Sequence, residues 1–339
     1  MSEQAPAVAD TDGIERIAAG YRRFAEVEAA TASPLYARLA IAVAEDEELL
    51  RFLSGLPTGK RQPNLLFAAV RYLHGTPAGP AELRGAVLEE PDRLRATVLA
   101  RATQTNEAAR CTALLPFLGL IEGPLALIEV GASAGLCLYP DRYSYDYDGR
   151  PVGPPSPVHL TCTTTGAVPV PAALPEVTAR IGIDLDPLDP ADDADRAWLQ
   201  ALIWPGSAAE ERRARLDAAA TIAAREPVRM LAGHLLDRLP EAVGLVSTGS
   251  SAVVFHTALL PYVPLAQRKA FVELVRELPV RWIAQEGPGA LPEVEAQLPD
   301  ADEARGRFVL SLDGRPVAWT APHGGRIDWF AGGWETIGR

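Results

Sequence analysis

The residues best placed to do chemistry begin at Glu129, in the run EVGASAG. Glycines at 131 and 135 permit a tight turn and close approach of backbone to a ligand, and free amides at a helix start face anionic or polar groups. With a strand before it and a helix after it, such a run is expected to bind a nucleotide-type ligand through Gly131, Ala132, Ser133 and Gly135, the alternative being a glycine turn that serves only helix packing. Further along, RIGIDL brings Asp184 to a strand end, where an acid accepts hydrogen bonds from sugar hydroxyls, and His234 and Leu235 open the next helix after VRMLA. His256 ends SAVVFH and Glu286 follows VRWIAQ, so both reach the sheet edge where a substrate would lie. An imidazole takes a proton near neutral pH, which makes His256 the favoured base, the alternative being a histidine satisfied by backbone at a strand end, while Glu286 and His234 share the edge from which either could reach a bound substrate. The chain has two asparagines, Asn64 in RQPN and Asn106 in QTNEAAR. Asn106 and Arg110, four apart on a predicted helix face, are suited to a polar or carboxylate-bearing small molecule; a buried hydrogen-bond network explains them equally well. Asn64 reads as a substrate contact or as a helix cap. Tyr143, a candidate substrate contact, opens YSYDY, whose alternation is that of a half-exposed strand.

The elements that must position these residues fall into two parts. After a disordered tail at residues 1–13, residues 14–121 read as an all-helical cap domain, with Ser33-Pro34 a cap and first-turn pair. Residues 122–339 alternate strands and helices, the signature of a parallel, Rossmann-like sheet. Seven strands are expected, at 126–130, 180–185, 228–232, 251–256, 280–285, 307–312 and 316–321, with helices at 134–140, 191–203, 208–225 and 264–278. Asp313-Gly314-Arg315 is a hairpin signal, so the sheet should end antiparallel. Residues 142–178, rich in Pro, Gly, Thr and Tyr, read as an irregular or small β insertion.

Composition narrows the function classes. A chain of 339 residues with 48% hydrophobic and 22% charged residues buries a substantial core, and a net charge of -12 argues against coating nucleic acid or an anionic membrane. Cys111, Cys137 and Cys162 show neither a zinc spacing nor a disulfide framework, and no metal motif appears elsewhere. The expectation is a cytoplasmic protein with a small-molecule partner and no metal; nothing in the sequence sets an oligomeric state.

Three resemblances follow from these motifs. Gly131-Ala132-Ser133-Ala134-Gly135 is similar to the GxSxG nucleophile elbow of α/β-hydrolases, with His323 and intervening acids giving their Ser, Asp, His order, although the upstream region lacks the strands that fold places first. The α/β half more closely resembles class I S-adenosylmethionine-dependent methyltransferases, on EVGASAG, GIDLDP, LAGHLLDRLP and VVFHTALLPY. That resemblance implies S-adenosylmethionine as cofactor and a seven-stranded methyltransferase-type sheet. It implies that Glu129 and the glycine turn hold the amino acid end, and that the turn at 231–235 holds the adenine, with His234 where an acid is common. Asp184 would hold the ribose, or Asp146 or Asp148 if YSYDYDG is the second strand. The implied activity is methyl transfer to oxygen or nitrogen of a small polar molecule; a serine hydrolase and a non-catalytic binding descendant are the alternatives. Over residues 15 to 330 the chain resembles the bacterial domain-of-unknown-function 2332 family, on RQPNLLFAAVRYL, QTNEAARC, EVGASAGL, WPG, VVFHTALLPY and EGPG. Cys137 stands where that family is expected to carry asparagine.

Overall fold

The computed structural model describes residues 11–299 and 306–331, so the first ten residues of the expected tail lie outside the described residues. The chain divides into two compact units, one comprising the residues up to Thr105 with Ala194–Arg213, the other Asn106–Asp193 with Ala214 onward. The expected boundary near 121 therefore moves back to 105, and a later segment joins the helical unit.

The first unit is built from helices Thr11–Arg23, Pro34–Glu45, Glu47–Ser54, Pro63–His74, Pro80–Leu88 and Pro91–Ala100, with Asp193–Leu202 returning to it. Proline opens four of these helices, where its missing N–H costs nothing. Ser33 accepts the Tyr36 amide at 3.4 Å as the expected cap. Buried Tyr21, Tyr36 and Phe67 form an aromatic core. Buried Arg71 explains why residues 194–213 join this unit: its guanidinium donates to the carbonyls of Ala201 and Ile203, at the end of the returning helix, and to the Tyr36 hydroxyl. Asn64, in the first turn of Pro63–His74, does not cap it; its Oδ1 is buried without a partner among the described residues.

The second unit holds a mixed, mostly parallel sheet of eleven strands: β1 Leu125–Val130, β2 Ser144–Tyr147, β3 Arg150–Val152, β4 His159–Thr165, β5 Val177–Asp184, β6 Arg229–Ala232, β7 Ser251–Thr257, β8 Arg281–Glu286, β9 Phe308–Leu312, β10 Arg315–Thr320 and β11 Arg326–Trp329. Their order is β3-β2-β4-β11-β10-β9-β8-β7-β1-β5-β6. All seven expected strands are present and adjacent, as β1 and β5 to β10, and the expected hairpin pairs β9 with β10 antiparallel. The sheet is larger than the seven strands expected. Residues 142–178 supply β2, β3 and β4, which join the far edge through β4 and β11 instead of forming a separate insertion. Consequently the connection from β1 to β5 travels to that edge and back, in place of a crossover helix.

β1 is buried along its whole length, as a central parallel strand must be, whereas β4 alternates exposed and buried residues like a strand with one wet face. Helices Leu235–Gly244 and Leu265–Glu277 cover one face through Leu239, Phe271 and Val275, which pack on Ile128, Ile181, Val254 and Trp282. Among the described residues no helix is long and apolar enough to cross a membrane.

The turn after β10 is sized by Gly324. Its φ is +77°, and a Cβ there would lie 2.0 Å from the Ala109 carbonyl oxygen. Gly324→Ala should therefore cost about 3 kcal/mol or more in a urea unfolding titration. Gly20→Ala, in a helix with open space around it, should instead gain roughly 0.5–1 kcal/mol. A Gly324→Ala protein as stable as the wild type would contradict this packing.

Candidate functional site

Counting the seven expected strands from β1, their order is 3-2-1-4-5-6-7, which reverses between β1 and β7. Open α/β sheets bind ligands outside the carboxyl ends of their strands at such a reversal. Here the chain leaves β1 through Gly131 (φ 76°), Ser133 (φ 52°) and Gly135 (φ 71°). The helix expected at 134–140 is absent; two single 3₁₀ turns, Leu136–Leu138 and Pro140–Arg142, follow instead.

Five amides of this stretch, those of Gly131, Ala132, Ser133, Gly135 and Leu136, are spent within the fold. Gly131 and Ala132 donate to the Ile183 carbonyl at 2.8 and 3.0 Å, Ser133 to Asp184 Oδ2 at 2.8 Å, and Gly135 to the Ala132 carbonyl at 2.6 Å. Leu136 donates to Asn106 Oδ1 at 2.7 Å. Asp184 and Asn106, expected to meet ribose and substrate, are thus the clamps of the turn. Asn106 does so from an irregular stretch, not mid-helix, because the preceding helix ends at Ala100. Over the turn lies Leu259: a Cβ on Gly131 would sit 2.6 Å from its Cδ1.

Strand periodicity divides the expected site residues between the two faces of the sheet. His256 shares the helix-covered face with Val254, and its ring packs on Phe271 and Trp282. Its Nδ1 meets Glu286 Oε1 at 2.6 Å, and Trp282 Nε1 donates to its Nε2 at 3.0 Å. An indole N–H only donates, so Nε2 accepts and Nδ1 carries the proton that Glu286 receives. Glu286 also accepts the amides of Leu259 and Leu260 at 3.0 and 3.3 Å. His256 is fully buried with both nitrogens engaged, so the expected base and its companion serve to hold the segment carrying Leu259. His234 Nδ1 caps helix Leu235–Gly244 by accepting the Leu236 amide, its Nε2 meets Gln267, and Leu235 packs in the core of that face.

Glu129 and Asp184 lie on the other face, in register through Gly182. Glu129 is 1% exposed, and its Oε2 has no hydrogen-bond partner among the described residues. Burial pushes its carboxyl well above the ordinary carboxylate range; the Cys137 thiol adds to this and Arg110 opposes it. Arg110, also buried, donates from Nε to the Pro322 carbonyl at 2.9 Å and from Nη1 to Thr257, on its carbonyl at 3.3 Å and its hydroxyl at 3.2 Å. Gln285, paired with Thr257 across β7 and β8, is fully buried with its Oε1 unpartnered. Gln285 belongs to no motif and Thr257 lies within VVFHTALLPY without being singled out; strand alternation counted from Glu129 was the available signal for both.

Tyr143 is buried and donates its hydroxyl to the Leu136 carbonyl at 2.6 Å, so it anchors the turn from below. Tyr145 and Tyr147 likewise tie β2 to the Pro140 and Thr112 carbonyls. Asp146 and Asp148 bond within the β2 to β4 region, to Gly149 and Thr164, and not at the end of β5. Ser133 is buried, and His323 lies exposed in the turn after β10. A cavity of about 290 Å³ lined by Arg142, Arg180 and Glu226 lies at the amino-terminal end of β5, away from the reversal.

A family model described as an uncharacterized protein conserved in bacteria, DUF2332, matches residues 18–329. The chain belongs to the DUF2332 family. A search of the curated proteins and of the solved structures returns no match. The sequence resemblance to DUF2332 thus holds over nearly its whole expected span, and function in this DUF2332 protein has to be read from its own geometry.

The Trp282-His256-Glu286 chain makes a direct prediction. Long-range ¹⁵N–¹H spectra at neutral pH should show His256 as the Nδ1–H tautomer, and Trp282→Phe, which removes the donor to Nε2, should cost about 1–3 kcal/mol. An Nε2–H signal in the wild type would contradict the assignment.

Proposed function

We propose that this DUF2332 protein binds S-adenosylmethionine at the carboxyl edge of β1 and β5 and serves methyl transfer to oxygen or nitrogen of a small polar molecule. The observation that carries this reading is Glu129: a buried carboxyl at the chain reversal with one oxygen unpartnered. An orphan of this kind costs about 1–3 kcal/mol unless a ligand satisfies it, and an ammonium group does so.

The fit differs along the cofactor. Glu129 suits the amino acid end. The amides of Gly131, Ala132, Ser133 and Leu136, being committed to Ile183, Asp184 and Asn106, leave too few donors to cradle a pyrophosphate, which favours a ligand without phosphates over a dinucleotide. Half-buried Asp184, at the end of β5, would face the ribose from the position where it braces the turn. The cofactor supplies the methyl group when bound. The protein's part is to bind and orient, since His256 is committed on the opposite face and rate enhancement then rests on approximation. The chain's own Leu259 covers the turn and must be displaced for a ligand to contact Gly131.

One observation favours a second reading, a serine hydrolase: Ser133 holds a left-handed φ of 52°, as a nucleophile at a strained turn does. A fluorophosphonate probe that labels the wild type and spares Ser133→Ala would support it; labelling of neither would remove it.

Calorimetry and thermal shift with S-adenosylmethionine or S-adenosylhomocysteine at about 1 mM should give binding and stabilisation, both lost in Glu129→Gln. No heat and no shift with either compound would refute the reading.

The pH dependence has a defined sign. The folded chain holds the Glu129 proton above the ordinary value of 4.5. The stability this contributes is complete below that value and is lost as pH rises through the folded one. Glu129→Gln should therefore melt increasingly above the wild type as pH goes from about 5 to about 8. Cys137, Arg110, Asp184 and Tyr143 surround the carboxyl and are unchanged in the variant. An ammonium ligand favours the ionised carboxylate, so binding should release a proton, seen as a dependence of the heat on buffer ionisation enthalpy. A variant-to-wild-type difference that shrinks with pH would contradict the assignment.

A further inference from the structure

We infer that Arg110, Glu129 and Gln285 form a receptor for a zwitterionic α-amino acid group, with Glu129 receiving the ammonium, Arg110 the carboxylate, and Gln285 a further N–H or O–H of the ligand. The assignment rests on the same ligand edge as the S-adenosylmethionine reading, but it recruits two residues that reading does not use.

The three side chains converge through the register of the sheet. Glu129 lies opposite Phe255 on β7, and Gln285 lies opposite Thr257, two residues further along the same strand. All four therefore share one face. Their spacing is about 10 Å across the strands and about 7 Å along them. Arg110 is anchored on Thr257 between them.

Each group has capacity left over. Glu129 Oε2 and Gln285 Oε1 are buried without partners. The orientation of the Gln285 amide is set by its neighbour: Thr320 donates its hydroxyl to the Phe308 carbonyl and so accepts Gln285 Nε2 at 2.9 Å, which leaves Oε1 as the unsatisfied end. Arg110 spends Nε and Nη1 on Pro322 and Thr257, and its Nη2 makes no hydrogen bond among the described residues. Two unsatisfied acceptors flanking a guanidinium in a buried setting call for a ligand with a cationic donor and an anionic acceptor close together. A monovalent cation would be repelled by Arg110, and a simple carboxylate would leave both acceptors unsatisfied.

The experiment titrates the full chain with L-methionine, 3-(methylthio)propylamine, which lacks the carboxylate, and 4-(methylthio)butanoate, which lacks the amine. L-methionine should bind, and each half-ligand should bind at least about tenfold more weakly. First checked for a wild-type near-UV circular dichroism spectrum, Arg110→Gln should weaken L-methionine by about tenfold and leave 3-(methylthio)propylamine unaffected, and Gln285→Met, which removes an acceptor for a second ammonium N–H, should weaken L-methionine by about tenfold and leave 4-(methylthio)butanoate unaffected. Because a substitution can fail to fold, the wild-type ranking of the three probes stands as an independent measurement. Equal binding of the two half-ligands and L-methionine, or no binding of any at about 10 mM, would overturn the inference and leave bridging waters as the occupants. If L-methionine binds and S-adenosylmethionine does not, the cofactor reading fails while this one stands. If S-adenosylmethionine binds the wild type and a folded Arg110→Gln equally, the reverse holds.

Discussion

Backbone amides that leave a buried sheet edge must find acceptors, and the second unit is organised around meeting that demand. β1 is buried end to end, so the turn after it runs in a setting where an unpaired N–H is costly. Asp184 takes the amide of Ser133, Asn106 that of Leu136, and Glu286 those of Leu259 and Leu260. Arg110 answers the complementary need by donating to the carbonyls of Thr257 and Pro322. Four side chains of site-like chemistry are first of all the means by which irregular backbone is buried at the carboxyl ends of the strands.

This stitching sharpens what counts as a site. A polar group whose partners are all accounted for is explained by the fold, and His256, with both ring nitrogens engaged, belongs there. A polar group left over after the accounting is not. Glu129 and Gln285 remain on one face, beside an arginine that has capacity to spare, and they give the second unit its chemical polarity. The same logic separates the polar pocket near Arg142 from this face, since its arginines are matched by Asp141 and Glu226.

Much of the fold was legible in the sequence because it depends on local pattern. The seven strand segments read as short apolar runs, the Asp313-Gly314-Arg315 hairpin as a turn signal, and Ser33-Pro34 as a cap, and each pattern acts within a few residues. What was not legible depends on distant partners. The β2 to β4 segment reads as an insertion because nothing local says that His159–Thr165 will pair with Arg326–Trp329. The helix expected after Gly135 fails because Asn106 and Tyr143 claim the backbone of Leu136 on both its N–H and its carbonyl side. Motif spacing singled out Glu129 and Asp184, which lie on one face of the sheet. It grouped His256 with them because it counted strand ends and not strand faces: one residue of offset, from Phe255 to His256, carries a side chain through the sheet.

The path of the chain between β1 and β5 also dictates the order in which the molecule can be completed. β4 is reached early in the second unit, yet the strand it needs on its inner flank, β11, is among the last segments of the described chain. Closing so long a loop carries an entropic cost that only the final pairing repays, which is the hallmark of slow, high-contact-order folding. Until β11 arrives, β4 has an unpaired edge, the kind of edge that invites pairing with another chain. The sequence of β4, HLTCTTT, with its threonine-rich exposed positions, is a polar way to wait.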